Sequence, residues 1–111
     1  MESVLTSIKK MLGITEEYEH FDTDIIIHIN SIFMTLNQLG VGPDKPAAII
    51  DKEDTWGSVL GDIQNLEAVK TYVYLKVRLI FDPPSSSSVI EAMNRQITEL
   101  EWRLNIQAEN N

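Results

Sequence analysis

The sequence feature that most constrains the fold is the stretch VKTYVYLKVRLIFDPP at residues 69–84, which ends at two prolines. Apolar residues recur there at spacings of three and four, and a second apolar set follows nearly the opposite side of the same helix. A helix with two apolar faces is typical of one that packs between neighbours. The two sets are Leu66, Val69, Val73, Val77 and Ile80, and Ala68, Tyr72, Leu75 and Leu79.

This central helix is expected to begin near Asn65 and to stop at Asp82-Pro83-Pro84. A residue before proline avoids the helical region, and proline lacks the N–H that a continuing helix needs. Two consecutive prolines also restrict the backbone before folding. We therefore expect this corner to set the angle between the central helix and the helix that follows it.

Length, composition and net charge exclude several classes of protein. A chain of 111 residues is expected to form one domain, residues 1–111, and can bury about two-thirds of its unfolded surface. The absence of cysteine excludes a disulfide scaffold and thiol catalysis. The net charge of −8 argues against tight binding to DNA phosphates. There is neither a signal-peptide pattern nor a membrane-spanning apolar run, so no membrane partner is expected.

Residues 3–12 are predicted to form the first helix, which Gly13 closes in the left-handed conformation. Its apolar residues share one face, and Lys9 and Lys10 lie off that face. That face consists of Val4, Leu5, Ile8, Met11 and Leu12.

A second helix is predicted to start at Asp22 as its N-cap and to end at Gly40, with Phe21 packing on Ile26. Its predicted core face consists of Ile25, Ile29, Ile32, Phe33, Leu36 and Leu39.

Ile27 and Met34 fall on the other side of the second helix, among polar residues. Two apolar residues stacked seven positions apart are candidates for a subunit contact. The alternative, that they are two unrelated exposed residues, stays open because single apolar side chains are common on protein surfaces.

The connection over about residues 41–64 is long and irregular, with glycine, proline and an acidic run. Thr55 is expected to cap a short helical turn that holds Trp56, and we interpret Trp56 as a plug at the open end of the bundle. Ala47–Ile50 is a candidate strand of a short hairpin, which in isolation would have only marginal stability.

The last helix is predicted to start at a capping box of Ser88 and Glu91 and to run to about Ile106, with residues 107–111 frayed. A heptad-like seam is expected to face inward, and an ion-pair ladder outward. The seam consists of Ile90, Met93, Ile97, Leu100 and Leu104, and the ladder of Glu91, Arg95, Glu99 and Arg103.

Trp102 lies away from that seam, on the side of Arg95 and next to Ile106. Two interpretations stay open. Trp102 either packs over a neighbouring helix of its own subunit or anchors a protein interface, where tryptophan and arginine are enriched.

No catalytic or metal-binding pattern is present in the sequence. Neither a serine-elbow nor a phosphate-loop spacing occurs, and His20 and His28 fit no short metal motif. The carboxylates at 51, 53, 54 and 62 lack the ligand alternation and central glycine of a calcium loop. We therefore expect no enzymatic activity, no cofactor and no metal.

Three segments together carry a resemblance: TWGSVLG (55–61), YVYLKVRLIFDPP (72–84) and SSSSVIEAMNRQITELEWRL (85–104). With the helix that contains DTDIIIHINSIF, they cover nearly the whole chain. The sequence resembles the head–tail connector (adaptor) family of long-tailed bacteriophages. Residues 77–84 and 101–104 are the most specific pieces, and neither is a catalytic signature. The motif residues are Trp56, Arg78, Phe81, Asp82, Pro83 and Pro84.

The resemblance implies an all-α subunit, a small bundle of four main helices, that works in a dodecameric ring beneath the capsid portal. Such a ring would extend the DNA channel, let DNA pass without specific binding and present a surface to the next head-completion (stopper) protein. It implies a location at the head–tail junction of the virion after synthesis in the host cytoplasm. The interface candidates are Ile27, Met34, Arg95, Trp102 and Ile106.

Two alternatives remain at this point. The chain could be a small helical adaptor or regulatory protein that dimerises through its last helix, or a different phage head-completion or tail-terminator protein. A DNA-binding regulator ranks lower, because no predicted helix carries a basic face.

Overall fold

The computed structural model describes residues 2–109, which form five helices and no strand. The helices are α1 (Val4–Met11), α2 (Asp22–Gln38), α3 (Trp56–Leu60), α4 (Leu66–Phe81) and α5 (Ser87–Glu109). The predicted all-α bundle of four main helices with a short helical turn is confirmed. The predicted strand at Ala47–Ile50 is wrong.

Helix α4 is central, as its two apolar faces predicted, because it packs against α1, α2 and α5. Val69, Tyr72, Val73 and Val77 are fully buried along its length. Only Ile80 departs from the predicted stripe, with 53% of its surface exposed. It lies in the last turn of α4, next to the corner where the helix ends.

Two glycines end α1 and α2 in the way that the sequence predicted. Gly13 and Gly40 have φ values of 82° and 84°, a left-handed conformation that glycine adopts without a steric penalty. After each glycine the chain folds back, so that Ile14 N–H donates to Lys9 O (2.8 Å) and Val41 N–H donates to Leu36 O (2.9 Å). These bonds satisfy carbonyl groups that a helix end would otherwise leave unpaired.

The start of α2 differs from the prediction. Phe21 is the N-cap, and Asp22 is the first residue within the helix. The Asp22 carboxylate instead pairs with Lys9 of α1, Oδ1 to Nζ 2.8 Å. Lys9 was predicted to lie off the core face of α1, yet only 2% of its side chain is exposed, because its charge is paired inside the protein.

The corner between α4 and α5 is fastened by local contacts. Arg78 Nε donates to Asp82 O at 2.6 Å, and the ring of Phe81 meets the edge of Phe21 at 5.2 Å. The predicted Ser88 capping box is wrong, because α5 begins at Ser87, so that Ser88 lies inside the helix, and Ser86 Oγ accepts from Val89 N–H at 3.4 Å.

Helix α5 extends through residues 107–109, within the segment predicted to fray, and the fraying itself stays a prediction; residues 110–111 lie outside the described range. Two side-chain bonds connect this end of α5 to the rest of the subunit. Asn105 Nδ2 donates to Leu39 O at 3.2 Å, and Gln107 Nε2 donates to Gln64 Oε1 at 3.1 Å.

Residues 43–53 form a strap that runs along α2 in the opposite direction. Asn37 Nδ2 donates to the carbonyl oxygens of Pro43 (3.1 Å) and Asp44 (3.2 Å). Further along the strap, the Asn30 amide accepts from Ile49 N–H (2.7 Å) and donates to Ile49 O (2.9 Å). The Asn30 side chain thus supplies the two hydrogen bonds that a neighbouring strand would supply, and no β-sheet is needed.

Trp56 is the first residue of α3 and packs against α1 and α2 in the core. Thr55 caps α3, as predicted, by accepting from Ser58 N–H at 3.1 Å. The Trp56 side chain is fully buried, and its indole N–H donates to Ser7 Oγ at 2.8 Å. Ser7 in turn donates to Ser3 O.

Candidate interaction surfaces

Helix α2 carries its core residues on one side and two large apolar residues on the other. Ile27 and Met34 are 59% and 55% exposed, whereas Ile25, Ile29 and Leu36 are fully buried. The structure therefore places both candidates on the outer side of α2, where a neighbouring protein can reach them.

A third exposed isoleucine, Ile50, belongs to the same region and was missed by the sequence analysis. It is 82% exposed, although Ile49 beside it is buried. The Asp54 carboxylate accepts from the N–H groups of Ile50 (2.7 Å) and Asp51 (3.3 Å) and so fixes the backbone at this point. Alternation of facing along an extended segment could have indicated that one of the two isoleucines points outward.

The outer side of α5 carries the second group of candidates. Trp102 is 65% exposed and Ile106 is 38% exposed, whereas the seam residues Ile97 and Leu104 are buried. The interpretation that Trp102 packs over its own subunit is therefore wrong.

Of the predicted ion-pair ladder, the pair between Glu99 Oε1 and Arg103 Nη2 forms at 2.6 Å. Arg95 is exposed on the same side of α5 as Trp102, and it makes no ion pair with any residue between 2 and 109. Arginine and tryptophan are both among the residue types enriched at binding hot spots.

The motif residues have mainly structural positions. Trp56 is buried in the core, Arg78 and Asp82 bond to each other, and Phe81 is partly buried against Phe21. Pro84 is partly buried and Pro83 is exposed in the corner between α4 and α5.

One buried polar pair links α4 to α5. The hydroxyl of Tyr72 donates to Glu101 Oε2 at 2.6 Å. Burial, and then the hydrogen bond and the negative charge of Glu101, raise the pKa of Tyr72 well above its usual value. The phenol is therefore held in its neutral form, which suits a structural bond.

Replacing Tyr72 by phenylalanine is expected to flatten the alkaline part of the stability profile. Because the folded-state pKa is raised, this contribution is fully present below the unfolded-state pKa of about 10 and is lost as the pH rises above it. Urea unfolding between about pH 8 and about pH 11 should show a smaller loss of stability for Tyr72→Phe than for the wild type. Tyr74→Phe, on the partly exposed side of α4, is the control, and equal slopes for Tyr72→Phe and the wild type would contradict this assignment.

One cleft opens at the end of the bundle where α4 begins. An open cleft of about 340 Å³ lies between the Gly40–Gly42 turn, the start of α4 and the end of α5. Its polar lining includes Asp62, Gln64 and Gln107. Across residues 2–109, no group of three or more histidine, aspartate or glutamate side chains is arranged to hold a metal ion. None of the helices in this range has the length and apolar character needed to cross a membrane.

Comparison with known proteins gives one family. The model of the phage connector protein family matches residues 4–111, which include all five helices and every candidate surface residue. No match was found among curated proteins or among solved structures. A match over nearly the whole length, on a fold that is all-α as the resemblance implied, establishes that this chain belongs to the phage connector protein family.

Proposed function

We propose that this chain is a structural virion protein that forms a ring at the head–tail junction. The ring joins the capsid portal to the next head-completion protein and extends the DNA channel. Membership of the phage connector protein family carries this proposal. The experiments below test two finer points, attachment to the portal and closure of the oligomer into a ring.

The positions of the exposed apolar residues support a ring. A ring requires heterologous contacts, in which one surface of a subunit meets a different surface of the next. Ile27 and Met34 lie on α2 and Trp102 and Ile106 lie on α5, and these two helices pack against α4. One subunit therefore carries two distinct apolar surfaces, as a ring needs.

The charge and the lack of reactive groups suit a passive channel protein. Seventeen acidic against nine basic residues oppose tight association with the phosphate backbone, so DNA can pass without being held. We propose no catalytic step and no cofactor, because the sequence contains neither a thiol nor a catalytic motif.

The alternative of a dimer through the last helix, α5, cannot use the heptad seam of that helix. Ile97 and Leu104 of that seam are buried within the subunit, and Met93 and Leu100 pack against the same core. A seam used inside the subunit is not free to pair with a second copy.

The direct test mixes the purified protein with portal-bearing capsids that lack their connector. We expect co-sedimentation, a ring beneath the portal in electron micrographs, and a mass that corresponds to a closed oligomer. A protein that stays dimeric at all concentrations and does not bind the capsids would contradict the proposed function.

Replacing Trp102 by alanine should separate folding from attachment. Because Trp102 is 65% exposed, the free energy of unfolding in urea should change by less than about 0.5 kcal/mol. If Trp102 anchors an interface, replacing it should weaken binding by about 2 kcal/mol. This corresponds to a roughly 30-fold increase in the apparent Kd for assembly on portal-bearing capsids.

Val89→Ala is the matched control for Trp102→Ala, since Val89 is an exposed apolar residue on another side of α5. It should leave both stability and attachment unchanged. Unchanged attachment of Trp102→Ala would exclude Trp102 as an anchor, and so would a large loss of monomer stability.

A further inference from the structure

We propose that the outer surface of α2 with its strap, formed by Ile27, Met34 and Ile50, receives Trp102 and Ile106 from α5 of a second copy of this chain. We call the first group the α2 patch and the second the α5 patch. The inference rests on the proposed function, because the ring brings copies side by side. Beyond that function, the inference specifies which surface of one subunit contacts which surface of the next.

The α2 patch is assembled by the strap. Asn30 binds both backbone groups of Ile49, and Asn30 lies within one helical turn of Ile27 and of Met34. Ile50 follows Ile49 directly and points outward with 82% of its surface exposed. The strap therefore holds a third exposed apolar side chain next to α2, where the sequence indicated only two on one helix.

The patch is also held in place before any partner arrives. The Asp54 carboxylate bonds the N–H groups of Ile50 and Asp51, and Asp51 Oδ1 accepts from Glu53 N–H at 2.8 Å. A loop already fixed in its binding conformation loses less entropy on association. An ordered loop that keeps an isoleucine in water suits a docking surface better than it suits an isolated subunit.

The two patches are different surfaces of the subunit, which favours a head-to-tail contact. Each lies on the side of its helix opposite the residues that pack toward the core, and both helices pack against α4. The subunit is flat, with extents of 39 × 36 × 19 Å. A contact between two different surfaces repeats from copy to copy, whereas a contact of one patch with itself stops at a dimer.

The charges around the patches are complementary. Arg95 is exposed on the same side of α5 as Trp102, about two helical turns away, and has no ion-pair partner among residues 2–109. The segment after Ile50 contains three acids and one lysine, with Asp51 and Glu53 exposed. Docking the α5 patch on the α2 patch places a cation against an acidic rim, and such pairing favours this partner over a copy of the same surface.

Because the chain has no cysteine, disulfide cross-linking tests the pairing without background. Ile50→Cys and Ile106→Cys are made separately and keep Trp102 in place. Each variant alone, and the two mixed, are assembled on portal-bearing capsids and oxidised mildly. Ile50→Cys mixed with Val89→Cys is the control, since Val89 lies on a different side of α5 from Ile106.

A covalent dimer is expected from the mixture of Ile50→Cys and Ile106→Cys and not from either variant alone. A chain that carries both cysteines should give a ladder of covalent multimers. Dimers from Ile50→Cys alone would overturn the proposal in favour of a self-paired α2 patch. Equal cross-linking with Val89→Cys would also overturn it, because contact would then be nonspecific.

Unmodified protein assembled in parallel separates this inference from the proposed function. If it forms rings on the capsids and the mixture does not cross-link, the pairing of patches is wrong and the ring stands. A contact of Trp102 with the portal, rather than with a second copy of the chain, would fit that result. If the unmodified protein does not attach at all, both proposals fail.

Discussion

Replacing Lys9 by alanine is expected to lower the free energy of unfolding by about 3 kcal/mol, the lower end of the range for breaking a buried ion pair. The Lys9 ammonium contacts three oxygen atoms, through one ion pair and two hydrogen bonds. They are Asp22 Oδ1 at 2.8 Å, Glu16 O at 3.0 Å and Tyr18 O at 2.7 Å. Alanine would leave a carboxylate and two carbonyl groups without their cation.

We expect a loss of folding free energy at the lower end of that range because Asp22 is 21% exposed. Water can therefore partly solvate its carboxylate once Lys9 is gone. The change should also loosen residues 14–21, since two of the three Lys9 contacts hold that connection against α1. Hydrogen exchange at these amides should become faster in Lys9→Ala than global unfolding alone explains.

Lys10→Ala is the matched control for Lys9→Ala, because Lys10 is the next residue of α1 and is exposed. It should change the stability by less than about 0.5 kcal/mol. In a double-mutant cycle, Asp22→Asn should cost less on the Lys9→Ala background than on the wild type, because the pair is then already broken. If Lys9→Ala unfolds in urea like Lys10→Ala, the ion pair contributes nothing to stability.

Replacing Trp56 by alanine is expected to cost about 3–5 kcal/mol, the range for removing a buried aromatic side chain. Trp56 is fully buried, and its ring meets Phe33 edge-on at 6.2 Å. Its indole N–H donates to Ser7 Oγ at 2.8 Å. Alanine removes this packing and leaves a cavity between α1, α2 and α3.

The chain has two tryptophans, so Trp102→Ala serves as the comparison for Trp56→Ala within the same protein. Trp102→Ala should leave stability nearly unchanged, and its remaining fluorescence, from Trp56 alone, should have the blue-shifted emission of a buried indole and shift to the red on unfolding. Ser7→Ala leaves the indole N–H unpaired and should cost about 1–3 kcal/mol. Equal stability losses for Trp56→Ala and Trp102→Ala would show that the assignment of one to the core and one to the surface is wrong.

Most of the helical framework could be predicted from the sequence, because its signals are local. The two apolar stripes of residues 66–80 identified α4 as central, and the prolines after Asp82 marked its end. Gly13 and Gly40 marked the ends of α1 and α2 through their own backbone conformations. Such signals involve residues within one or two helical turns, so periodicity and turn chemistry suffice to identify them.

The sequence by itself thus determined the all-α class, the helix order, the core-facing sides and the exposure of Ile27 and Met34. The tertiary structure decided whatever depends on a partner distant in the chain. Lys9 is buried because Asp22 and two carbonyl groups converge on it, and Ile50 is held in water because Asn30 binds the residue before it. Periodicity shows which side of a helix is apolar, but it contains no information on which distant group will pair with a polar side chain.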